Sequence, residues 1–231
     1  MTGDERRTFS FIDLAGFTAV TEVHGDEEAV ALLDRFVSLV EGALGDGDHL
    51  VKTIGDAAMV TSEAPEQALA LAEKLFTRCL HEHDFPVPRA GLHHGAAIAR
   101  DGDWFGATVN LAARVAAQAH GGQVLATHEV ADAARSRRLD VVDLGEFDLR
   151  NVSEPVHLWE VLVTPPHDAA GFDPVCRMRV VRDRAAGRLR HAGVDYWFCS
   201  LDCAGQFAVD PERFGAVAVP RTGNGDLPDP R

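Results

Sequence analysis

The sequence predicts an α+β protein: a ferredoxin-like βαββαβ core followed by a small cysteine-containing C-terminal module. Three observations predict it. Strand-like and helix-like runs alternate in that order over the first hundred residues, a Gly-Asp turn separates two short apolar runs, and the composition shifts near residue 167. Residues 1–167 carry 13 Lys and Arg against 27 Asp and Glu, whereas 172–214 carry 7 Arg against 6 acids, so the two stretches read as separate modules.

The elements follow in order. Residues 8–13 (TFSFID) read as a strand that breaks at Ala15-Gly16. From Asp26 to Leu44 the apolar positions Ala29, Leu33, Phe36, Val37 and Val40 recur at helical spacing, and Asp26, Glu27 and Glu28 occupy the first turn, where the helix dipole favours acids. The runs 49–54 and 57–61 flank Gly55-Asp56 as a hairpin. A second helix starts at Pro65, with Ala68, Leu69, Ala72, Leu75, Phe76 and Cys79 on one face. Residues 89–99 suggest a further strand, and Thr108–His120 reads as a helix ended by Gly121-Gly122. Residues 1–7 read as a flexible N-terminus, 164–171 (TPPHDAAG) as a linker, and 216–231 as a disordered tail.

Composition narrows the function. A formal net charge of −14 argues against binding nucleic acid, which demands a basic surface. No apolar run approaches the length of a bilayer span, and the start MTGDERRT is polar rather than signal-like, so a cytoplasmic protein without membrane contact is expected. Cys79 falls on a helix face while Cys176, Cys199 and Cys203 cluster near the C-terminus. That distribution favours thiol or metal chemistry in a reducing compartment over a disulfide framework.

Two aspartates, Asp13 and Asp56, each end an apolar run where a metal and a phosphate can meet. Asp13 precedes Leu14-Ala15-Gly16-Phe17-Thr18, whose free backbone N–H groups suit an anion, with Gly16 permitting close approach. A few carboxylates plus substrate phosphates are what Mg²⁺ prefers. Taken singly, Asp13 also reads as a cap, Asp56 as a turn residue, and Lys52 as an edge-strand charge that limits aggregation. Asn110 and Arg114 lie four apart, so one helical face presents both to one ligand.

Together the segments FIDLAGFT, KTIGD and DWFGATVNLAAR resemble those of class III nucleotide cyclases over residues 8–163. The resemblance implies metal carboxylates at Asp13, beside the backbone of Ile12, and at Asp56, holding two Mg²⁺ or Mn²⁺ ions per site. It implies purine recognition by Lys52 and Asp103, ribose orientation by Asn110, and transition-state stabilisation by Arg114. All six positions carry the residue of adenylate-forming members, so ATP is the implied substrate and cyclic AMP the product. Gly16, Phe17 and Thr18 fall on the phosphate loop. Where family members commonly place a triphosphate Lys, LGEFDLRNV offers Arg150, which keeps the charge with a different geometry. The resemblance further implies a homodimer with two sites at the interface. A silent cyclase-like nucleotide-binding module and a guanylate cyclase are the alternatives.

Residues 172–215 resemble the YHS family, small modules related to metal-binding TRASH-like domains, with the cysteines spaced C-x22-C-x3-C. Cys199 and Cys203 are one helical turn apart and able to grip one ion, for which thiolates favour zinc or copper(I). The fourth ligand is His191 or Asp202, or the site stays open, and the family's usual Gly after the first Cys is Arg177 here. Metal-free thiols packed beside Trp197, Phe198 and Phe207 are the other reading.

Overall fold

The computed structural model describes residues 4–82, 85–164, 170–176 and 178–215. The first module runs β1 (Asp4–Leu14), α1 (Phe17–His24), α2 (Asp26–Ala43), β2 (Asp48–Ile54), β3 (Ala57–Ser62), α3 (Pro65–His81) and β4 (Pro88–Arg100). It continues through β5 (Asp103–Phe105), α4 (Ala107–Gln118), β6 (Val124–Ala126), α5 (His128–Ser136), β7 (Asp140–Phe147) and β8 (Val156–Leu162). The strands form one sheet in the order β2-β3-β1-β4-β6-β8-β7, with β5 folded back on β4. The first four follow the antiparallel ferredoxin-like order that the sequence predicts; β6 then joins β4 in parallel.

Side-chain alternation along β1 divides the core into two layers. Ile12 and Leu14 face Leu32, Phe36, Leu69 and Leu75 of α2 and α3, whereas Phe9 and Phe11 face Met59, Val109 and Ala112 under α4. The helix α4 lies so close to β4 that a Cβ on Gly91 would sit 2.0 Å from the Ala116 backbone nitrogen, so only glycine fits. The predicted strand starting at residue 8 begins earlier: Asp4 to Arg7 pair with Gly95 to Ile98, and residues 4–7 are therefore ordered strand rather than flexible terminus. A long β4 supplies the partner that the local pattern of residues 4–7 does not announce.

The C-terminal module comprises β9 (Ala170–Phe172), β10 (Arg179–Val181), β11 (Gly187–His191), β12 (Val194–Phe198), α6 (Leu201–Val209) and α7 (Pro211–Gly215). Its buried Val175, Met178, Phe198 and Phe207 are continuous with the core layer under α2 and α3. Met178 bridges Pro86, and Arg179 donates its backbone N–H to the Phe85 carbonyl and a guanidinium N–H to the Leu80 carbonyl. Its first attachment is thus to the connection between α3 and β4. Residues 165–169 of the expected linker, Arg177 and the expected tail lie outside the described residues.

Candidate active site

Asp13, the penultimate residue of β1, lies directly opposite Arg89, the second residue of β4. Arg89 donates to Asp13 Oδ2 from Nε at 3.0 Å and Nη2 at 2.6 Å, and its Nη1 donates to the Ala119 carbonyl at the end of α4. The other oxygen, Asp13 Oδ1, is buried with no hydrogen-bond partner among the described residues. A buried carboxylate oxygen without a partner is costly, and a cation is the natural group to satisfy it. Burial pushes the Asp13 carboxyl up to about 6, against the pull of Arg89 and with a further push from Asp56. Asp56 follows Gly55, whose φ of 62° makes the β2–β3 turn, and adjoins Ala57, the β3 partner of Asp13. One arginine therefore takes one oxygen, while its mate, with Asp56 nearby, has no hydrogen-bond partner among the described residues.

The loop after Asp13 turns at Gly16, at φ 78°, and opens α1 with Phe17 and Thr18. Beyond it, on β2, Lys52 donates to Asp103 Oδ2 at 2.5 Å. This hydrogen bond, joined by the Trp104 N–H on Oδ1, holds the Asp103 carboxyl below its ordinary range. Lys52 and Asp103 remain partly exposed, so the ion pair contributes only about 0–1 kcal/mol and gives way readily to a ligand. Asn110 and Arg114 line an open groove of about 430 Å³ with Asn151, Val152 and Ser153. Arg150 is exposed in the turn that leads into those three residues.

Three pairs emerge: Asp13 with Asp56, Lys52 with Asp103, and Asn110 with Arg114. Among the described residues no hydrogen bond or ion pair joins the first to the other two. Asp13 is tied through Arg89 to the far end of α4, and Asp103 precedes its first turn; twelve residues of helix, about 18 Å, separate those ends. Within one chain these pairs are thus not joined into one closed site. Arg89 and the Asn151–Ser153 turn escape a reading of the sequence because neither carries a motif. Only the cross-strand register reveals Arg89.

In the second module the sulfurs of Cys176 and Cys199 lie 3.3 Å apart and those of Cys199 and Cys203 3.8 Å apart, all as free cysteines. Their mutual contacts push the Cys199 thiol up and draw that of Cys203 down. The group beside them is neither His191, which packs edge-on against Phe207, nor the exposed Asp202. It is His24, with Nε2 3.8 Å from the Cys199 sulfur. The sequence separates His24 from the cysteines by more than 150 residues, so spacing gives no hint of it.

The family described as the adenylate and guanylate cyclase catalytic domain matches residues 3–161. A pH-sensitive adenylate cyclase of Mycobacterium tuberculosis is 38% identical over 169 residues, covering 70% of this chain and 42% of that protein. An adenylate cyclase of Streptomyces coelicolor is 34% identical over 113 residues, 48% of this chain and 30% of the relative. The chain thus spans about two fifths or less of these curated relatives. Among solved structures, an adenylate cyclase of Trypanosoma brucei superposes with a TM-score of 0.64 at 27% identity, covering 70% of this chain and 89% of that one. The adenylyl cyclase CyaB of P. aeruginosa gives 0.60 at 21% identity, over 74% of this chain and 100% of that one, a likeness of fold. Among the described residues no helix is long and apolar enough to cross a membrane.

Proposed function

Since this chain belongs to the adenylate and guanylate cyclase catalytic domain family, we propose that it converts ATP to 3′,5′-cyclic AMP and pyrophosphate. The observation that carries this reading is the Lys52–Asp103 pair. It sets a cationic donor beside an anionic acceptor, and adenine offers the complement, an acceptor at N1 and a donor at its amino group. Guanine presents the reversed pattern, and a site arranged to hydrogen-bond one pattern disfavours the other. Relatives named as adenylate cyclases support the same reading.

Each residue has a part in the reaction. Asp13 and Asp56, with the Ile12 backbone, would hold two Mg²⁺ or Mn²⁺ ions; the buried, unpartnered Asp13 Oδ1 fits that demand. Such ions supply a lowered pKa for the ribose 3′-hydroxyl and countercharge for the phosphates. Gly16, Phe17 and Thr18 offer backbone N–H groups to the phosphates at the start of α1, and Arg150, beside the Asn110–Arg114 groove, would add a cation for them from the other half-site. Asn110 orients the ribose. Arg114 meets the charge that builds on the α-phosphoryl group as the 3′-oxygen attacks and pyrophosphate leaves.

The two half-sites motivate the homodimer: Asp13 and Asp56 of one chain face Lys52, Asp103, Asn110 and Arg114 of a second copy. We also assign residues 172–215 to a YHS-like module and the chain to a reducing, cytoplasmic setting, in keeping with its free thiols. The test is to incubate the protein with ATP or GTP and Mn²⁺ and assay for cyclic product. Cyclic AMP from ATP, abolished by Asp56→Ala, is expected. Absence of product from both nucleotides would refute the enzyme, and product from GTP alone would refute the purine assignment.

A further inference from the structure

Four ligand atoms converge where the C-terminal module meets α1. His24 Nε2 and the sulfurs of Cys176, Cys199 and Cys203 all lie within 4.8 Å of one another. An ion with sulfur ligands at about 2.3 Å and nitrogen at about 2.0 Å in tetrahedral array spaces two sulfurs about 3.8 Å apart and a sulfur and nitrogen about 3.5 Å apart. Three of the separations, 3.3 and 3.8 Å between sulfurs and 3.8 Å to the imidazole, lie within about half an ångström of these values, and the remaining three lie within 4.8 Å.

The surroundings are built to hold these atoms in place. The Asp173 carboxylate is fully buried and accepts the backbone N–H groups of Val175 and Cys176 on Oδ1 and of Cys199 on Oδ2, tying both ligand loops to one side chain. Ser200 Oγ accepts the Cys203 N–H at the start of α6. Cys176 and Cys203 are completely buried, whereas Cys199 and His24 are half-exposed and leave a path for an ion. Outer partners that fix ligand orientation are characteristic of metal sites.

We propose that His24, Cys176, Cys199 and Cys203 form a Cys₃His site for a zinc-class ion, and that its occupancy fastens α1 of the catalytic module to the C-terminal module. The module is already held at the α3–β4 connection by Met178 and Arg179. The ion adds a second attachment, at the last residue of the helix whose first residues are Phe17 and Thr18. Eight residues join the two ends, so a constraint on His24 acts on the segment that opens at Gly16. The effect on catalysis rests on the cyclase reading, whereas ion binding and the fastening of α1 do not.

The test uses the full chain, reduced and stripped of metal, titrated with Co²⁺ and then with Zn²⁺ as competitor. One equivalent of Co²⁺ per chain should produce thiolate-to-cobalt charge transfer, which a carboxylate site cannot give, and Zn²⁺ should abolish it. His24→Ala should weaken binding by about 100-fold and change the cobalt ligand-field spectrum, and His24→Cys should restore tight binding through a fourth thiolate. His24 is half-exposed, so its replacement spares the buried core. Amide exchange in 17–24 should slow on loading the native chain and not on loading His24→Ala. No charge transfer, or an unchanged affinity in His24→Ala, overturns the site. Unaltered exchange in a loaded chain overturns the fastening. None of these measurements reads ATP turnover, so their failure and that of the cyclase reading remain distinct.

Discussion

At the residue scale, Asp13 shows one side chain serving two partners. Arg89 takes one oxygen and holds the carboxyl from rising further, while burial pushes it up to about 6. Protons should therefore compete with the metal: below pH 6 the apparent affinity for Mn²⁺ should fall about tenfold per pH unit, as a Mn²⁺ titration of cyclase rate at pH 5 and pH 7 will show. Arg89→Met removes the lowering influence, so the acid limb of the rate profile should move to higher pH. An unmoved limb would show that another group sets it. The Lys52–Asp103 pair makes a separate prediction, that Lys52→Glu with Asp103→Cys loses the preference for ATP, read from kcat/KM for both nucleotides. Replacing Arg114 by Ala should lower kcat by about 10²–10³-fold with little change in fold. Asp13, Asp56, Lys52, Asp103, Asn110 and Arg114 are the residues that the sequence offers for the proposed site, because each sits in a short motif. Arg89 and His24 were not legible there, since each acts through a neighbour that only the folded chain supplies.

At the element scale, the strands and helices up to residue 120 were readable from periodicity and turns, which are local signals. The helix α1 was not. Its eight residues follow the Gly16 turn, and its single fully buried side chain, Val20, gives no amphipathic pattern to read. The short strands β5 and β6 exist because β4 provides an edge for each, again a non-local cause. The contact of α4 with β4 predicts that Gly91→Ala costs about 3 kcal/mol, because neither backbone can retreat; denaturant melting measures it. His93 also lies on β4, with its Nδ1 2.7 Å from Thr127 Oγ1 at the start of α5, and burial pushes its pKa down to about 4. The unfolded chain, titrating near 6.5, binds the extra proton between pH 4 and 6.5. Stability should therefore decline as pH falls through that window, by about 2 kcal/mol after allowance for solvent screening, and His93→Gln should flatten the decline.

At the scale of the whole molecule, the three residue pairs lie apart within one chain, and on the proposed two-fold arrangement activity is a property of the pair of chains. Equimolar mixing of Asp56→Ala with Arg114→Ala should restore about a quarter of native activity, since half the dimers are mixed and each mixed dimer has one intact site. No recovery on mixing would place both halves of a working site in a single chain. The charge balance shifts where the C-terminal segment begins, whereas the continuity of its buried side chains with the core under α2 and α3 and the place of His24 beside the cysteines were not visible, because composition carries no information about contact. There remains the length of β4. Its second residue stands against Asp13, and its last pairs with Asp103, so a single uninterrupted run of 13 residues gauges the interval between the proposed metal end and the proposed purine end. In a two-fold pair each chain lays that gauge across both sites. Deleting one residue from its middle would mis-set both together, although no atom lost touches a nucleotide.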